Sequence, residues 1–163
     1  MDAKKILVAV DGSENARRSI NYVADIVKDC RRFEITLLSI EHLPDRDFFA
    51  DDAAWKKACA ENRDAMLAFL ADGKQLLTEQ GVSEKLIHTD YIESCHSPMP
   101  GEKGYCSRGT SIALDILHAA KDGGFGTVVI GRRGVSKAEE FMFGSVSNKI
   151  IHSGRDCTIW VVQ

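Results

Sequence analysis

The chain alternates five short segments that predict strands with longer segments whose apolar residues recur at helical spacing. The strand segments span residues 5–10, 33–40, 85–92, 127–130 and 158–162, and the first is a continuous apolar run suited to burial on both faces. Strands that alternate with helices form a parallel sheet, because right-handed crossover connections place helices on both faces. With 163 residues, the chain is long enough to build one such domain with a full core.

Four of the intervening segments predict helices. The first begins at Ser13, a residue type that caps helix N-termini. The second is long: its apolar pattern covers residues 55–77 and ends near Gly81. The third and fourth span residues 111–120 and 145–152.

Glycines and serines surround the junction between the fourth strand and the last helix. The run Gly131-Arg132-Arg133-Gly134 follows the strand, and after nine intervening residues Gly144-Ser145-Val146-Ser147 opens the helix. Glycine lets the backbone approach an anion, and the N–H groups of a helix start bind phosphate. Arginine suits phosphate or ribose oxygens. The junction therefore predicts a nucleotide-binding loop, with the alternative that the glycines serve only as turn residues.

A second candidate for this site is Asp11, which ends the first strand just as Gly131 ends the fourth. Ligands of open parallel sheets bind at the carboxyl ends of the strands, where the strand order reverses. If the first and fourth strands are neighbours, Asp11 and the glycine loop face one crevice.

Charge and composition exclude several classes of protein. A net charge of −3 argues against binding to nucleic acid or to an anionic membrane. No apolar run reaches the roughly 20 residues of a membrane helix, and the apolar N-terminal segment is too short for a secretory signal, so we expect a cytoplasmic protein. In that reducing compartment most of the five cysteines are expected to be free thiols: Cys30, Cys59, Cys95, Cys106 and Cys157.

These residues resemble the universal stress protein family, in its ATP-binding branch. The family's motif Gly-x2-Gly-x9-Gly-Ser/Thr is present as Gly131, Gly134, Gly144 and Ser145, together with the strand-end Asp11. The resemblance covers residues 1–163 as one universal stress protein domain. It implies a doubly wound α/β fold of the adenine nucleotide alpha hydrolase type, with five parallel strands in the order 3-2-1-4-5.

The resemblance also implies a ligand, ATP or AMP, with a divalent ion such as Mg²⁺ carried on the phosphates. The residues implied in binding form three groups. Ala9, Val10, Asp11 and Ile40 would line the adenosine end; Ile130, Gly131, Arg132, Arg133 and Gly134 would wrap ribose and phosphates; Gly144, Ser145, Val146 and Ser147 would hold the phosphates.

The function implied is that of a stress-response regulator or sensor that binds ATP and acts through an unidentified protein partner. Two alternatives stay open: a slow ATP hydrolase with Asp11 as base, and a dimeric scaffold with a non-functional site. A regulator is favoured over an enzyme, since the chain lacks the Walker A pattern of phosphoryl-transfer proteins. The resemblance further implies a homodimer through the last strand, Thr158–Val162, although Trp160 could instead pack in the core.

An insertion-like loop at residues 93–108 departs from the family pattern. It follows the third strand, so it emerges at the same sheet edge as the crevice. The favoured interpretation is a plain surface loop with two idle thiols. The alternatives are a lid, a partner surface, or a redox or metal clip through Cys95, His96 and Cys106.

Overall fold

The computed structural model describes residues 1–30, 32–99, 101, 105–132 and 144–163. Five strands and four α-helices alternate along the chain. In chain order they are β1 (Asp2–Ala9), α1 (Glu14–Val27), β2 (Glu34–Ile40), α2 (Asp52–Glu79), β3 (Ile87–Ile92), α3 (Ile112–Asp122), β4 (Phe125–Gly131), α4 (Ser145–Ser153) and β5 (Thr158–Val162). Short 3-10 turns at Arg46–Phe48 and Glu84–Leu86 precede α2 and β3.

The strands form one parallel sheet in the order β3-β2-β1-β4-β5, which confirms the predicted architecture. The central strand β1 pairs with β2 on one side and with β4 on the other, through Ala9 opposite Leu38 and opposite Ile130. The strand order therefore reverses between β1 and β4. Asp11 lies just after β1 and Gly131 is the last residue of β4, so both lie at the carboxyl ends of neighbouring strands, where the crevice was predicted.

Each face of the sheet is covered by two helices, because alternate residues of the buried strands point to opposite sides. Ile6 and Val8 of β1 pack with apolar residues of α1 and α2 in one core. Leu7 packs with residues of α3 and α4 in the other. Both cores reach the carboxyl edge of the sheet, so that edge is walled by apolar side chains.

Side-chain caps set where the helices begin. The Ser13 hydroxyl accepts a hydrogen bond from Ala16 N at 3.1 Å, as predicted for α1. Helix α2 begins before its predicted apolar pattern, because the Asp51 carboxylate accepts from Ala54 N at 2.8 Å and ends the preceding turn. Within the described ranges, no helix is long and apolar enough to cross a membrane.

The loop after β3 corrects one expectation. Cys95 and Cys106 form a disulfide, so the interpretation of these two as idle thiols is wrong, whereas Cys30, Cys59 and Cys157 are free. The backbone explains the pairing: Cys95 N donates to Ser107 O at 2.7 Å beside a parallel bridge between Ser94 and Ser107. This contact holds the two ends of the loop together, with the cysteine Cα atoms 5.0 Å apart.

Candidate functional site

A large cavity opens at the carboxyl edge of β1, β2 and β4. Its volume of about 940 Å³ lies within the roughly 300–1,000 Å³ of small-molecule sites. Most of the residues predicted for the site line it together. They are Ala9, Val10, Asp11, Ile40, Ile130, Gly131, Gly144, Ser145, Val146 and Ser147.

The turn after β1 places Asp11 at the mouth of this cavity. Val10 N donates to Leu38 O at 2.8 Å, which extends the pairing of β1 with β2 to the strand end. Gly12 then adopts a φ of +77°, a left-handed conformation that glycine reaches without steric cost. The Asp11 carboxylate accepts a hydrogen bond from Ser13 N at 3.1 Å, which fixes the carboxylate beside the start of α1.

The junction between β4 and α4 forms the opposite wall. Gly144 N donates to Arg132 O at 3.1 Å, so the two ends of the glycine loop are joined by their backbones. The Ser147 hydroxyl donates to Gly131 O at 2.8 Å and is almost fully buried. This bond holds the first turn of α4 against the end of β4.

The start of α4 differs from the starts of the other α-helices. Side chains of Ser13, Asp51 and Ser111 cap α1, α2 and α3, but no side chain of a described residue caps α4 at Gly144. The N–H groups of an uncapped first turn need acceptors, and the positive end of the helix dipole favours an anion. The first turn of α4 therefore presents to the cavity N–H groups that no side chain of a described residue caps.

Arg132, one of the two predicted arginines, does not join this set. Arg132 N donates to Val162 O at 2.7 Å, and its guanidinium Nη1 donates to Gln163 Oε1 at 3.3 Å, so the side chain reaches the end of β5. Arg133 and Gly134 lie outside the described residues. The assignment of Arg132 to ribose or phosphate stays a prediction that would require its side chain to turn from Gln163.

Comparisons with known proteins agree with this geometry. The chain matches no protein-family model. It is 26% identical to the universal stress protein YxiE of Bacillus subtilis, over 98% of each chain. Its fold is similar to that of universal stress protein UspA from Lactobacillus plantarum, with a TM-score of 0.74 and 16% identity over 100% of this chain and 99% of the other. The chain is therefore similar in sequence to a universal stress protein along its whole length, and similar in fold to others.

Another similar structure is a universal stress protein from Archaeoglobus fulgidus in complex with dAMP. Its TM-score is 0.61, with 19% identity over 98% of this chain and 97% of that one. At these identities the structural likeness supports the fold.

The cavity also has a polar end that the sequence analysis missed. Glu41 follows Ile40 directly and is only 7% exposed. One carboxylate oxygen accepts from Ser94 N at 2.7 Å and the other accepts from the Ser97 hydroxyl at 3.2 Å. The sequence contains one signal for Glu41, its position directly after the predicted binding residue Ile40. Its hydrogen-bond partners Ser94 and Ser97 are far away in sequence, so their contact with Glu41 had no local signature.

Tyr91 and Arg63 complete this polar end. The Arg63 guanidinium lies over the Tyr91 ring at 5.9 Å and pairs with the buried Glu93 carboxylate at 3.4 Å. Burial, reinforced by the negative charge of Glu41, raises the pKa of the Tyr91 phenol far above its ordinary value. Tyr91 is therefore neutral at physiological pH.

The Cys59 thiol also lines the cavity. Burial, and then the Glu41 carboxylate, raise the pKa of this thiol, and a protonated thiol is a poor nucleophile. Among the residues that the structure describes, no three His, Cys, Asp or Glu side chains are grouped to hold a metal ion. The described walls of the cavity combine apolar side chains with the start of α4.

Proposed function

We propose that this chain is a universal stress protein that binds an adenine nucleotide, ATP or AMP, and acts as a stress-response regulator through a protein partner that responds to occupancy. The observation that carries the proposal is the uncapped start of α4 facing a cavity of about 940 Å³. The nucleoside would lie between Asp11 and Ile40, and the phosphates at Gly144–Ser147. The dAMP complex of a similar structure supports this class of ligand.

The groups around the cavity fit such a ligand. The apolar side chains Ile40 and Ile130 are almost fully buried and provide surfaces for a base. The N–H groups at the start of α4 suit phosphate oxygens. A Mg²⁺ ion would depend on the phosphates for most of its ligands, since no cluster of three or more metal-binding side chains occurs among the described residues.

Two variants test the site in different ways. Gly131→Val places a branched side chain at the phosphate path and should abolish ATP binding measured by calorimetry. Ser145→Asp should also abolish binding, because its charge repels phosphate, yet it should preserve or raise thermal stability, since an acidic residue favours a helix start. Thr89→Val is the control, because Thr89 is an exposed residue of β3 that does not line the cavity.

The pattern of results separates the alternatives. Loss of binding in both site variants, with the control unchanged, would support the nucleotide site. Parent-like affinity in Ser145→Asp would refute phosphate binding at α4. A parent protein that binds no adenine nucleotide would favour the dimeric scaffold.

The proposal includes a homodimer formed through β5. This strand is at the edge of the sheet, and its residues Ile159, Trp160, Val161 and Val162 are each partly exposed. An uncovered apolar edge is prone to uncontrolled pairing, which a two-fold partner strand would prevent. Sedimentation equilibrium should give twice the chain mass of 18.0 kDa, and a single species at 18.0 kDa would argue against the dimer.

A cytoplasmic location is also part of the proposal, and cell fractionation with an antibody to the chain tests it. In a reducing compartment the Cys95–Cys106 disulfide would be in exchange with cellular thiols. Recovery of the protein from a secreted or periplasmic fraction would contradict this location.

A further inference from the structure

A second cavity adjoins the proposed nucleotide cavity. Its volume is about 530 Å³, and it shares with the first cavity the residues Glu41, His42, Ser145 and Val146. The first turn of α4 therefore separates the two spaces and faces both of them. A phosphate chain bound at Ser145 would have open space on its far side.

The lining of the second cavity is basic. His42, His96, Arg108 and Lys149 line it, and Glu41 is the acidic side chain among its lining residues. Both Glu41 oxygens already accept hydrogen bonds, from Ser94 N and the Ser97 hydroxyl. Arg108 and Lys149 form no ion pair with any residue that the structure describes.

The start of α3 borders the second cavity. Gly109, Thr110 and Ser111 precede α3 and line this cavity. Ser111 caps α3 and Asp115 lies in its first turn, so the positive groups at this cavity come from elsewhere. The start of α4 and the side chains of Arg108 and Lys149 make the space favourable for an anion.

The disulfide loop fixes two of the basic residues in place. His96 follows Cys95, and Arg108 follows Ser107, whose backbone pairs with Glu93 and Cys95. His96 N donates to the Ser94 hydroxyl at 3.2 Å. His96 and Arg108 are thus tied to the end of β3 and to the buried Glu41.

We propose that the second cavity is a subsite for a phosphate chain that continues beyond the nucleotide triphosphate. This inference rests on the proposed function, because it requires a nucleotide whose phosphates lie at α4. The ligand class is an adenine nucleotide with four or more phosphates. Such a chain has two sources: a nucleoside tetraphosphate, or two nucleosides joined through their phosphates.

Apolar residues in the same cavity distinguish the two sources. Leu43, Ile112 and Ala113 line it beside the basic residues. A second nucleoside would use these surfaces, whereas additional phosphates alone would use the cations. The experiment therefore compares AMP, ATP, adenosine 5′-tetraphosphate and diadenosine tetraphosphate by isothermal titration calorimetry on the full chain.

The tetraphosphates should bind about tenfold more tightly than ATP, as expected for one or two additional charge-assisted hydrogen bonds. The double variant Arg108→Gln/Lys149→Gln should lose this gain while AMP affinity stays unchanged. Arg18→Gln is the matched control, since Arg18 is exposed on α1 and lines neither cavity. A gain in affinity with both tetraphosphates would assign the subsite to the additional phosphates. A gain with the diadenosine compound alone would assign the added affinity to the second nucleoside.

Other results would overturn the subsite. If AMP and ATP bind but the tetraphosphates bind no more tightly, or if the gain survives the double variant, the second cavity has no such role and the proposed function stands. If no adenine nucleotide binds, the proposed function fails. In that case inorganic tripolyphosphate tests the cavity directly: binding lost in the double variant would support an anion site, and no binding would refute it.

Discussion

Two loops at the same sheet edge are built in opposite ways. The loop after β1 turns directly into α1 through Asp11, Gly12 and Ser13, and its hydrogen bonds join residues two or three positions apart. The loop after β3 is long and is held by distant partners. Ser94 N donates to the Glu41 carboxylate across 53 positions, and a disulfide joins Cys95 to Cys106.

The difference shows which parts of a binding edge can be predicted. A loop stabilised by its own neighbours has a local signature, since the acceptor, the glycine and the helix cap are adjacent in sequence. A loop stabilised by buried groups from other elements has no such signature. Four variants of these loops separate the two cases, and their expected effects decrease from the disulfide to Tyr105.

Removing the disulfide should lower the free energy of unfolding more than the other changes. A disulfide between residues 11 positions apart stabilises the fold by about 3 kcal/mol, because it restricts the conformations of the unfolded chain. Urea unfolding of Cys95→Ser/Cys106→Ser should show this loss, and the reduced parent should match the variant. Cys30→Ser is the control, because Cys30 is an exposed free thiol. An unchanged midpoint in the double variant would show that the loop is held without its disulfide.

Glu41→Ala should cost about 2 kcal/mol, because the nearly buried N–H of Ser94 loses its acceptor. The same urea titration measures this loss. Glu61→Ala removes a carboxylate from an exposed ion pair with Lys57 and should change stability by less than about 0.5 kcal/mol. Equal effects of the two variants would contradict the role of Glu41 as the anchor of the long loop.

Gly12→Ala should destabilise the short loop by about 1 kcal/mol, because alanine resists the left-handed conformation at φ +77°. Gly12→Asn should cost less, since asparagine enters this region more readily. Gly81→Ala is the matched control for strain away from the cavity, with φ +96°. If the short loop positions Asp11 for a ligand, only the Gly12 variants should also weaken ATP binding. Thermal unfolding and calorimetry measure the two effects.

The smallest effect is expected at alkaline pH. Burial raises the pKa of Tyr105 to about 12 from its ordinary value of 10.0, and its hydrogen-bond partner Asp90 adds to the rise. The folded state therefore holds this proton more tightly than the unfolded state. The resulting stability is fully present below pH 10 and is lost as pH rises toward 12. Subtracting the ultraviolet titration of Tyr105→Phe from that of the parent isolates the Tyr105 phenol. The difference should show one phenolate transition near pH 12, and a difference transition near pH 10 would contradict the expectation.

Much of the fold was accessible from sequence, for physical reasons. Strands such as Thr158–Val162 are short apolar runs, and the Ser13 cap lies next to the helix that it starts. The strand order came from the family resemblance. Within the site, the glycine motif located the start of α4, because it encodes a close backbone approach.

The remainder depended on contacts that no local pattern contains. Glu41 acquires its role from Ser94 and Ser97, which approach it only once β2 and β3 pair. Arg132 was predicted to face the phosphates, but its backbone N–H continues the pairing with β5 and its side chain reaches Gln163. The Cys95–Cys106 disulfide likewise depends on the bridge between Ser94 and Ser107.

The hydrogen bond between Gly144 N and Arg132 O has a consequence for engineering. It joins the start of α4 to the end of β4 through backbone atoms alone, so replacing the Arg132 side chain leaves this contact available. An Arg132 variant is therefore a mild way to change the charge near the cavity while the sheet and both cores keep their own contacts.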